Sequence, residues 1–437
     1  MSTTIISADA AWERSALRQT RDDTALRITI RGHNPVKAVR APIDIALVLD
    51  RSGSMGGDKI QLAKKAVTAA IDLLEPGDRV ALVSFDHEVD VVQPLATATS
   101  HTRAEIRRNL EPVTARGSTA LADGWLTGCQ QLAAAIPPAG VRLQRAILLT
   151  DGQANIGITD IGELSTHASQ LWARGISTTA LGIGTGFDEI LLSSMTEAGG
   201  GNFQYIEHPS QLAAFFAREI GGLTELAALH PRLEITLPRG LRAHLLNRFP
   251  QRREGKTITV DLRDLIDGDE IDLVFTVTHR GNLDASSSHV RATLTATDPA
   301  RHEPVSLTVD IPALSFVSDT EAERAPVDHA VAILRASEQA ICEQREALRL
   351  DREGRFAESR ALFAQSRDRL ADADAMAAVT GYAGIDHDRV HRIQSDLADS
   401  RNLAAAPATA LGEDVHKSRT ARHTHHSRGG RRDQDQQ

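Results

Sequence analysis

Cysteine and aromatic residues are scarce in this sequence, and their scarcity excludes several classes of protein. The two cysteines, Cys129 and Cys342, lie far apart and outside any CxxC pair, which argues against a disulfide framework and against a structural zinc site. Aromatic residues make up 3% of the chain, so its cores must consist mainly of aliphatic side chains.

Long apolar runs are also missing. No stretch of the sequence approaches the ~20 apolar residues that a membrane-spanning helix needs, so we expect no membrane span. The N-terminal residues MSTTIISADA lack the basic start and the apolar centre of a secretory signal. These absences favour a cytoplasmic protein.

The sequence further lacks the motifs of common nucleotide-dependent and hydrolytic enzymes. It contains no GxxxxGK[ST] phosphate-binding loop, no HExxH zinc motif and no GxSxG nucleophile motif. With 58 acidic and 49 basic residues, the chain has a formal net charge of -9, which argues against nucleic acid as a partner. We therefore expect a binding protein rather than an enzyme.

A long segment, from residue 43 to residue 222, alternates apolar strands with amphipathic helices. The strands, such as IDIALVLD and RAILLTD, are continuous apolar runs, which are typical of a parallel sheet covered on both faces. The helices, such as DKIQLAKKAVTAAIDLL, place their apolar residues on one face. Because connections between parallel strands are right-handed, the pattern predicts a doubly wound, Rossmann-like α/β domain.

The other segments follow different patterns. Residues 223–320 alternate apolar and polar positions between turns, which predicts an antiparallel β-sandwich. Residues 1–42 contain a similar stretch, TALRITIRGHN, which we expect to pair with the later strands, so that the α/β domain is inserted into a split sandwich. Residues 325–403 predict a helical hairpin region, broken at REGRF and packed on the sandwich or on another chain. Residues 404–437 predict a disordered basic tail.

Short oxygen-bearing side chains stand at the ends of strands and in a loop of the α/β segment. Asp50 ends a buried strand, and Ser52 and Ser54 follow it at alternate positions. Asp151 ends a second strand, and Thr119 opens a helix. Ligands of open α/β sheets bind at the carboxyl ends of the strands, where the strand order reverses. We therefore expect these five side chains to converge on one site.

This set of five offers only oxygen atoms, from two carboxylates and three hydroxyls. Oxygen ligands without histidine or cysteine favour a hard cation, so we expect Mg2+, with Mn2+ and Ca2+ as alternatives. Two carboxylates only neutralise a divalent cation, which leaves room for an outside anion. The carboxylate of an Asp or Glu residue in a partner protein is the natural further ligand.

The motifs DRSGSM, GSTAL and TDGQAN, in this order, resemble the metal-ion-dependent adhesion site of von Willebrand factor type A (VWA) domains. The matching residues are Asp50, Ser52 and Ser54 in the first loop, Thr119 in the second and Asp151 in the third. The resemblance covers residues 43–222 and implies a Mg2+ site that binds protein partners. The second loop departs from the family at Ser118, where a second glycine is common.

The layout of the whole chain is similar to that of bacterial VWA proteins and of inter-alpha-trypsin inhibitor heavy chains. We therefore expect a doubly wound VWA domain inserted into a split antiparallel β-sandwich and followed by a helical hairpin region. The acidic stretch DLIDGDEID lacks the EF-hand pattern, so Gly268 predicts a hairpin turn there rather than a calcium loop.

Alternatives stay open at the site and for the function. The chain could be an accessory subunit of a metal-chelatase-like or AAA-coupled enzyme complex, although without a phosphate-binding loop it is not the motor itself. For catalysis, the sequence places no His or Lys beside the metal loops as an obvious base, and His87 is a weak candidate. Asp86 and Asp123 also lie near these loops. Two interpretations stay open for each of them: a hydrogen-bond partner of metal-bound water, or an ordinary helix-capping or surface acid.

Overall fold

The computed structural model describes the chain in the segments 5–34, 42–134, 142–152, 154–184, 188–220, 226–281, 289–299, 301 and 303–380. The end of the expected helical region, 381–403, and the expected basic tail, 404–437, lie outside the described residues. Before the α/β unit the chain forms β1 (Ile6–Trp12), β2 (Ala16–Arg18) and β3 (Arg21–Gly32). None of the helices in the described segments combines the length and apolar character needed to cross a membrane.

The α/β unit is a six-stranded sheet with helices on both faces. Its elements are β4 (Ile43–Asp50), α1 (Asp58–Asp72), β5 (Arg79–Phe85), β6 (Val89–Thr97), α2 (Ser100–Leu110), α3 (Leu121–Ala133), β7 (Leu143–Thr150), α4 (Ile161–Trp172), β8 (Ile176–Ile183), α5 (Glu189–Ala198), β9 (Gly200–Ile206) and α6 (Ser210–Glu219). The strand order is β6-β5-β4-β7-β8-β9. The expected doubly wound fold is confirmed with one difference, the antiparallel edge strand β6. The three residues between β5 and β6 are too few for a parallel crossover.

Strand β4 lies at the centre of this sheet and is fully buried along its length. Ile45, Leu47 and Leu49 pack with residues of α1 and α6, whereas Ala46 and Val48 pack with residues of α3, α4 and α5. Two covered faces explain why the sequence of this strand is continuously apolar and does not alternate.

The strand order reverses at β4, and this reversal positions the candidate site. β4 pairs with β5 on one side and with β7 on the other, both in parallel. Leu49 of β4 lies opposite Leu149 of β7, so the strands end side by side at Asp50 and Thr150. A crevice at the carboxyl ends of strands at such a reversal is where open α/β sheets bind their ligands.

The chain continues from the α/β unit into a β-sandwich. Its strands after the α/β unit are β10 (Leu226–Thr236), β11 (Leu241–Leu245), β12 (Gln251–Glu254), β13 (Thr257–Asp261), β14 (Leu265–Ile266), β15 (Glu270–Arg280), β16 (Arg291–Thr297) and β17 (Pro304–Val309). The strand that follows, β18 (Ser315–Val317), pairs in parallel with β2 in a separate two-stranded sheet. The two sheets have the orders β1-β3-β15-β11 and β12-β13-β10-β16-β17. Strand β3, before the α/β unit, pairs along its length with β15, after it. The split antiparallel sandwich is therefore confirmed.

The turn at Gly268 differs from the expected hairpin. Gly268 has a φ of +76°, a conformation that tight turns use and that glycine adopts without steric cost. The strands on its two sides belong to different sheets, however, because β14 pairs with β10 and β15 pairs with β3. The turn therefore crosses the sandwich from one sheet to the other. The sequence pattern shows the turn itself but not the partners of its flanking strands.

The helical region packs on the sandwich. It consists of α7 (Asp319–Glu323), α8 (His329–Arg352) and α9 (Phe356–Thr380), with α8 and α9 forming the expected hairpin around Gly354, whose φ is +76°. Val331 and Leu334 of α8 pack against Ala25 and Val274 of the sheet that contains β3 and β15. Because one hairpin cannot bury its own apolar stripe, this contact with the sandwich supplies the missing apolar partner.

All three parts of the chain meet at one buried carboxylate, Glu197 near the end of α5, which is 6% exposed. Its Oε2 lies 2.7 Å from Nη1 of Arg248, which follows β11 in the sandwich. Its Oε1 accepts a hydrogen bond of 3.3 Å from Nη2 of Arg345 on α8. Burial lowers the pKa of the Arg345 guanidinium, and the charge of Glu197 opposes that effect. Glu197 thus ties the α/β unit to both other parts.

We expect Glu197→Gln to lower the free energy of unfolding by about 2 kcal/mol, because a buried charge-assisted hydrogen bond is lost and two guanidinium groups are left facing each other. Urea unfolding followed by circular dichroism measures the loss. Glu346→Gln on α8 is the matched control, since Glu346 is exposed and pairs only with Arg349 of its own helix in the described contacts. Equal stability of the two variants would contradict the role given to Glu197.

Candidate metal centre

Asp50 is one of the buried candidate residues. Its side chain is fully buried at the end of β4. Oδ1 accepts a hydrogen bond of 2.7 Å from the backbone N–H of Ser52, and Oδ2 accepts one of 2.5 Å from the hydroxyl of Thr150. Burial raises the pKa of Asp50 to about 6; these hydrogen bonds oppose the rise, and the charge of Asp151 adds to it.

The first loop links Asp50 to Asp151 through its two serines. The hydroxyls of Ser52 and Ser54 lie 3.1 Å apart, and the Ser54 hydroxyl donates a hydrogen bond of 3.0 Å to Oδ1 of Asp151. Ser52 and Asp151 are fully buried, whereas Ser54 is exposed. Four of the five candidate residues therefore form one hydrogen-bonded cluster, which opens to solvent on the side of Ser54.

Thr119 lies next to this cluster and is held there by its backbone. Its N–H donates to Oδ1 of Asn155 at 2.8 Å, and its carbonyl accepts from the N–H of Asn155 at 3.1 Å. Two residues earlier, the carbonyl of Gly117 accepts a hydrogen bond of 3.0 Å from the N–H of Gly53, between the two serines. In the described contacts, no hydrogen bond joins the hydroxyl of Thr119 to the other four residues. The structure thus brings its loop, but not its hydroxyl, into the bonded cluster.

Lys59, on the first turn of α1, is a charged neighbour that the sequence analysis missed. Its Nζ donates a hydrogen bond of 3.0 Å to Oδ2 of Asp151, and its side chain is 23% exposed. The sequence alone indicated no lysine beside the metal loops as an obvious base, and the structure places Lys59 there as the ion-pair partner of Asp151. Gly56 and Gly57 connect the first loop to α1, and Gly57 has a φ of +72°. Helix α1 then begins at Asp58, which places Lys59 beside Asp151 in the third loop.

A group of charged residues behind the first two loops is ion-paired internally. Nε of Arg51 and Nε of Arg116 both donate to Oδ2 of the buried Asp86, at 3.0 and 2.7 Å. Burial alone would raise the pKa of Asp86, but a backbone bond from Glu88 and these two guanidiniums hold it below its usual range. Asp86, His87 and Glu88 bring their ligand atoms within 4.8 Å of one another, yet a cation there would displace the arginines. Asp86 therefore braces the loops and lies outside the oxygen cluster.

Asp123, the other acid near these loops, lies in the first turn of α3 and is exposed. His87 is half-exposed, and its ring lies against Gly117 so closely that a Cβ there would be 2.3 Å from Nδ1. Gly117 also has a φ of +67°, so this position in the second loop requires glycine for two reasons.

The donor set of the cluster fits a divalent hard cation. Asp50 and Asp151 are two buried carboxylates whose charges repel, and a bound cation would relieve this repulsion. The remaining donors are hydroxyl oxygens, which Mg2+ accepts readily and Zn2+ does not favour. Asp50, Ser52, Ser54 and Asp151 would hold such a cation directly or through water, with Thr119 on the adjoining loop.

Known proteins are similar to this chain over different shares of its length. Residues 44–218 match the family model described as von Willebrand factor type A domain. An uncharacterized protein of Synechocystis is 29% identical over 221 residues, which are 50% of this chain and 50% of that protein. Inter-alpha-trypsin inhibitor heavy chain H4 of Homo sapiens is 29% identical over 178 residues, which are 39% of this chain and 19% of that one. The chain spans half or less of the length of these relatives.

Two solved structures are similar over nearly the whole chain. A von Willebrand factor type A protein from Catenulispora acidiphila is 19% identical with a TM-score of 0.65, and the match covers 93% of this chain and 97% of that one. The ArnB paralog VWA2 from Sulfolobus acidocaldarius is 14% identical with a TM-score of 0.63, covering 97% and 98%. At these identities the likeness shows the fold alone.

The family match and the fold agree on the α/β unit. The match spans β4 to α6, the elements whose strand order places Asp50 and Asp151 together. This chain is accordingly a protein with a von Willebrand factor type A domain at residues 44–218.

Proposed function

We propose that this chain is a metal-dependent protein-binding module that acts by binding rather than by catalysis. Asp50, Ser52, Ser54, Thr119 and Asp151 hold Mg2+, and an Asp or Glu residue of a partner protein completes its coordination. The observation that carries the proposal is the pair of fully buried carboxylates, Asp50 and Asp151, joined through the hydroxyls of Ser52 and Ser54. Lys59 offsets only one of these two negative charges, so the pair is still unfavourable without a further cation.

The shape of the cluster supports a partner-supplied ligand. Ser54, Gly53 and Gly56 are exposed on one side, so a carboxylate from outside can approach the oxygens of Asp151 and Ser54. An acidic partner residue would therefore reach the metal without crossing apolar surface.

We expect Mn2+, used as a calorimetric probe for the Mg2+ site, to bind the wild-type protein with one equivalent of metal. Asp151→Asn removes one of the two negative charges and an oxygen donor, so binding should fall below detection. Asp72→Asn is the matched control, because Asp72 is an exposed carboxylate at the far end of α1, paired with Arg107. Equal Mn2+ binding by all three proteins would contradict the proposed site.

The partner is tested separately with immobilised protein and extract of the source cells. Proteins retained in Mg2+, released by EDTA and absent from Asp151→Asn are the expected result. The same set retained in EDTA would contradict metal-dependent binding. Hydrolysis of phosphate esters that requires Mg2+ and is abolished by Asp151→Asn would instead favour catalysis, and a retained ATPase motor would favour the accessory-subunit alternative.

A further inference from the structure

Lys59 is placed to act on the cluster as a tethered cation. Its ammonium bonds Oδ2 of Asp151 while the hydroxyl of Ser54 bonds Oδ1, so both oxygens of this carboxylate have donors. Asp151 is fully buried, and Lys59 itself is mostly covered. A bond between a covered ammonium and a buried carboxylate is screened much less than a surface ion pair.

The structure provides a slot for the aliphatic part of Lys59. A Cβ added to Gly184, at the end of β8, would lie 2.8 Å from Cε, 2.9 Å from Cγ and 3.1 Å from Cδ of Lys59. Gly184 also has a φ of +71°. The lysine stem thus lies directly on a backbone that has no side chain, and the ammonium is directed to Asp151 by this packing.

We propose that Lys59 competes with the divalent cation for Asp151 and so weakens metal binding by the free protein. This inference rests on the proposed function, because it concerns the affinity of the same site. A cation that binds through Asp151 must displace the ammonium from Oδ2 or share the carboxylate with it. Either outcome lowers the affinity for metal below that of two uncompensated carboxylates.

The competition has a consequence for the partner. Asp50 and Asp151 contribute two negative charges, and Lys59 cancels one of them, so a bound divalent cation leaves the site with one positive charge in excess. A carboxylate from a partner removes this excess. The lysine thereby makes tight metal binding depend on the arrival of an acidic partner residue, which couples the two ligands in both directions.

The test compares Mn2+ affinity by calorimetry in wild type, Lys59→Met and Lys65→Met, all as the full chain. Methionine keeps the apolar stem that packs on Gly184 and removes the charge. Lys65 is exposed on the same helix, so its variant has the same change in formal charge away from the cluster. We expect Lys59→Met to bind Mn2+ about tenfold or more tightly than Lys65→Met, since unit charges at contact distance interact strongly near a protein surface.

A second readout is the thermal unfolding temperature in EDTA and in Mn2+. Lys59→Met should unfold at a lower temperature than wild type in EDTA, because Asp151 loses its cation, and should gain more from added Mn2+. Equal affinities of Lys59→Met and Lys65→Met, or weaker binding by Lys59→Met, would overturn the competition while leaving the metal site in place. Absence of Mn2+ binding in all three proteins would instead overturn the proposed function.

Discussion

Asp50→Asn is expected to raise the free energy of unfolding by about 3 kcal/mol when the protein is kept in EDTA at neutral pH. Asp50 is fully buried, and burial raises its pKa from 3.8 to about 6. A difference of about 2 between the folded and unfolded pKa values corresponds to about 3 kcal/mol against the charged form in the folded state. Asparagine has the same shape, keeps an acceptor for the N–H of Ser52 and has no charge; its amide NH2 replaces Oδ2, so the Thr150 hydroxyl accepts a hydrogen bond there instead of donating one.

The raised pKa of Asp50 also predicts how the stability of the wild type depends on pH in EDTA. Because the folded state binds the proton more tightly than the unfolded chain, the contribution of Asp50 is fully present below pH 3.8 and is lost as the pH rises through about 6. The gain from Asp50→Asn should therefore be small near the lower value and complete above the higher one. Urea unfolding at a series of pH values measures this difference.

Asp72→Asn is again the matched control, because Asp72 is half-exposed and its replacement should give no comparable gain at any pH. A gain from Asp50→Asn that stays constant across the acidic range would contradict the raised pKa. With saturating Mn2+ the order should reverse, since the metal stabilises the wild type by binding the folded state and Asp50→Asn binds it poorly. The charge of Asp50 thus lowers the folding stability of the metal-free protein and favours binding of a cation.

The fold of this chain was predictable wherever a periodic pattern determines which faces are buried. The continuous apolar run of β4 reflects helices on both faces, and the alternation of β3 and β15 reflects one face on the sandwich core. Such periodicity does not report strand direction. The antiparallel pairing of β6 depends on the short connection at Asp86–Glu88, and the separate partners of β14 and β15 depend on how two sheets meet.

The candidate site was predictable as far as its residues share local motifs. Asp50, Ser52 and Ser54 are neighbours in sequence, and Asp151 directly follows β7, the strand next to β4. The order of the strands in the sheet was therefore enough to predict that these residues lie together. The position of Lys59 was not predictable, because the direction of its side chain depends on its packing over Gly184, a contact between distant segments. The same reason applies to Thr150 and Asn155, whose roles arise from hydrogen bonds across loops.

Trp125→Ala is expected to destabilise the protein by about 3–5 kcal/mol, the cost of removing a large aromatic side chain from a core. Trp125 is fully buried on α3 among small and aliphatic residues of the sheet, such as Ala46 and Val48. Its indole N–H also donates a hydrogen bond of 3.2 Å to the hydroxyl of Thr178 on β8. Alanine would leave a cavity between α3 and the sheet and remove the donor to a buried hydroxyl.

The position of Trp125 links this loss of stability to the site. Helix α3 begins at Leu121, two residues after Thr119, so a helix that shifts into the cavity moves the second loop relative to Asp50 and Asp151. We therefore expect the folded Trp125→Ala protein to bind Mn2+ more weakly as well. Urea unfolding and calorimetry on the same preparations measure the two effects.

Trp172→Ala is the control that tests whether the loss of any large aromatic side chain of the α/β unit weakens Mn2+ binding. Trp172 ends α4 and packs on Gly200 at the start of β9, at the opposite edge of the sheet from the carboxyl ends of β4 and β7. It is only partly buried, so its removal should cost less stability and leave Mn2+ affinity unchanged. Weakened Mn2+ binding in both variants would show that the site responds to stability in general, whereas weakening in Trp125→Ala alone would establish α3 as the element that holds the second loop.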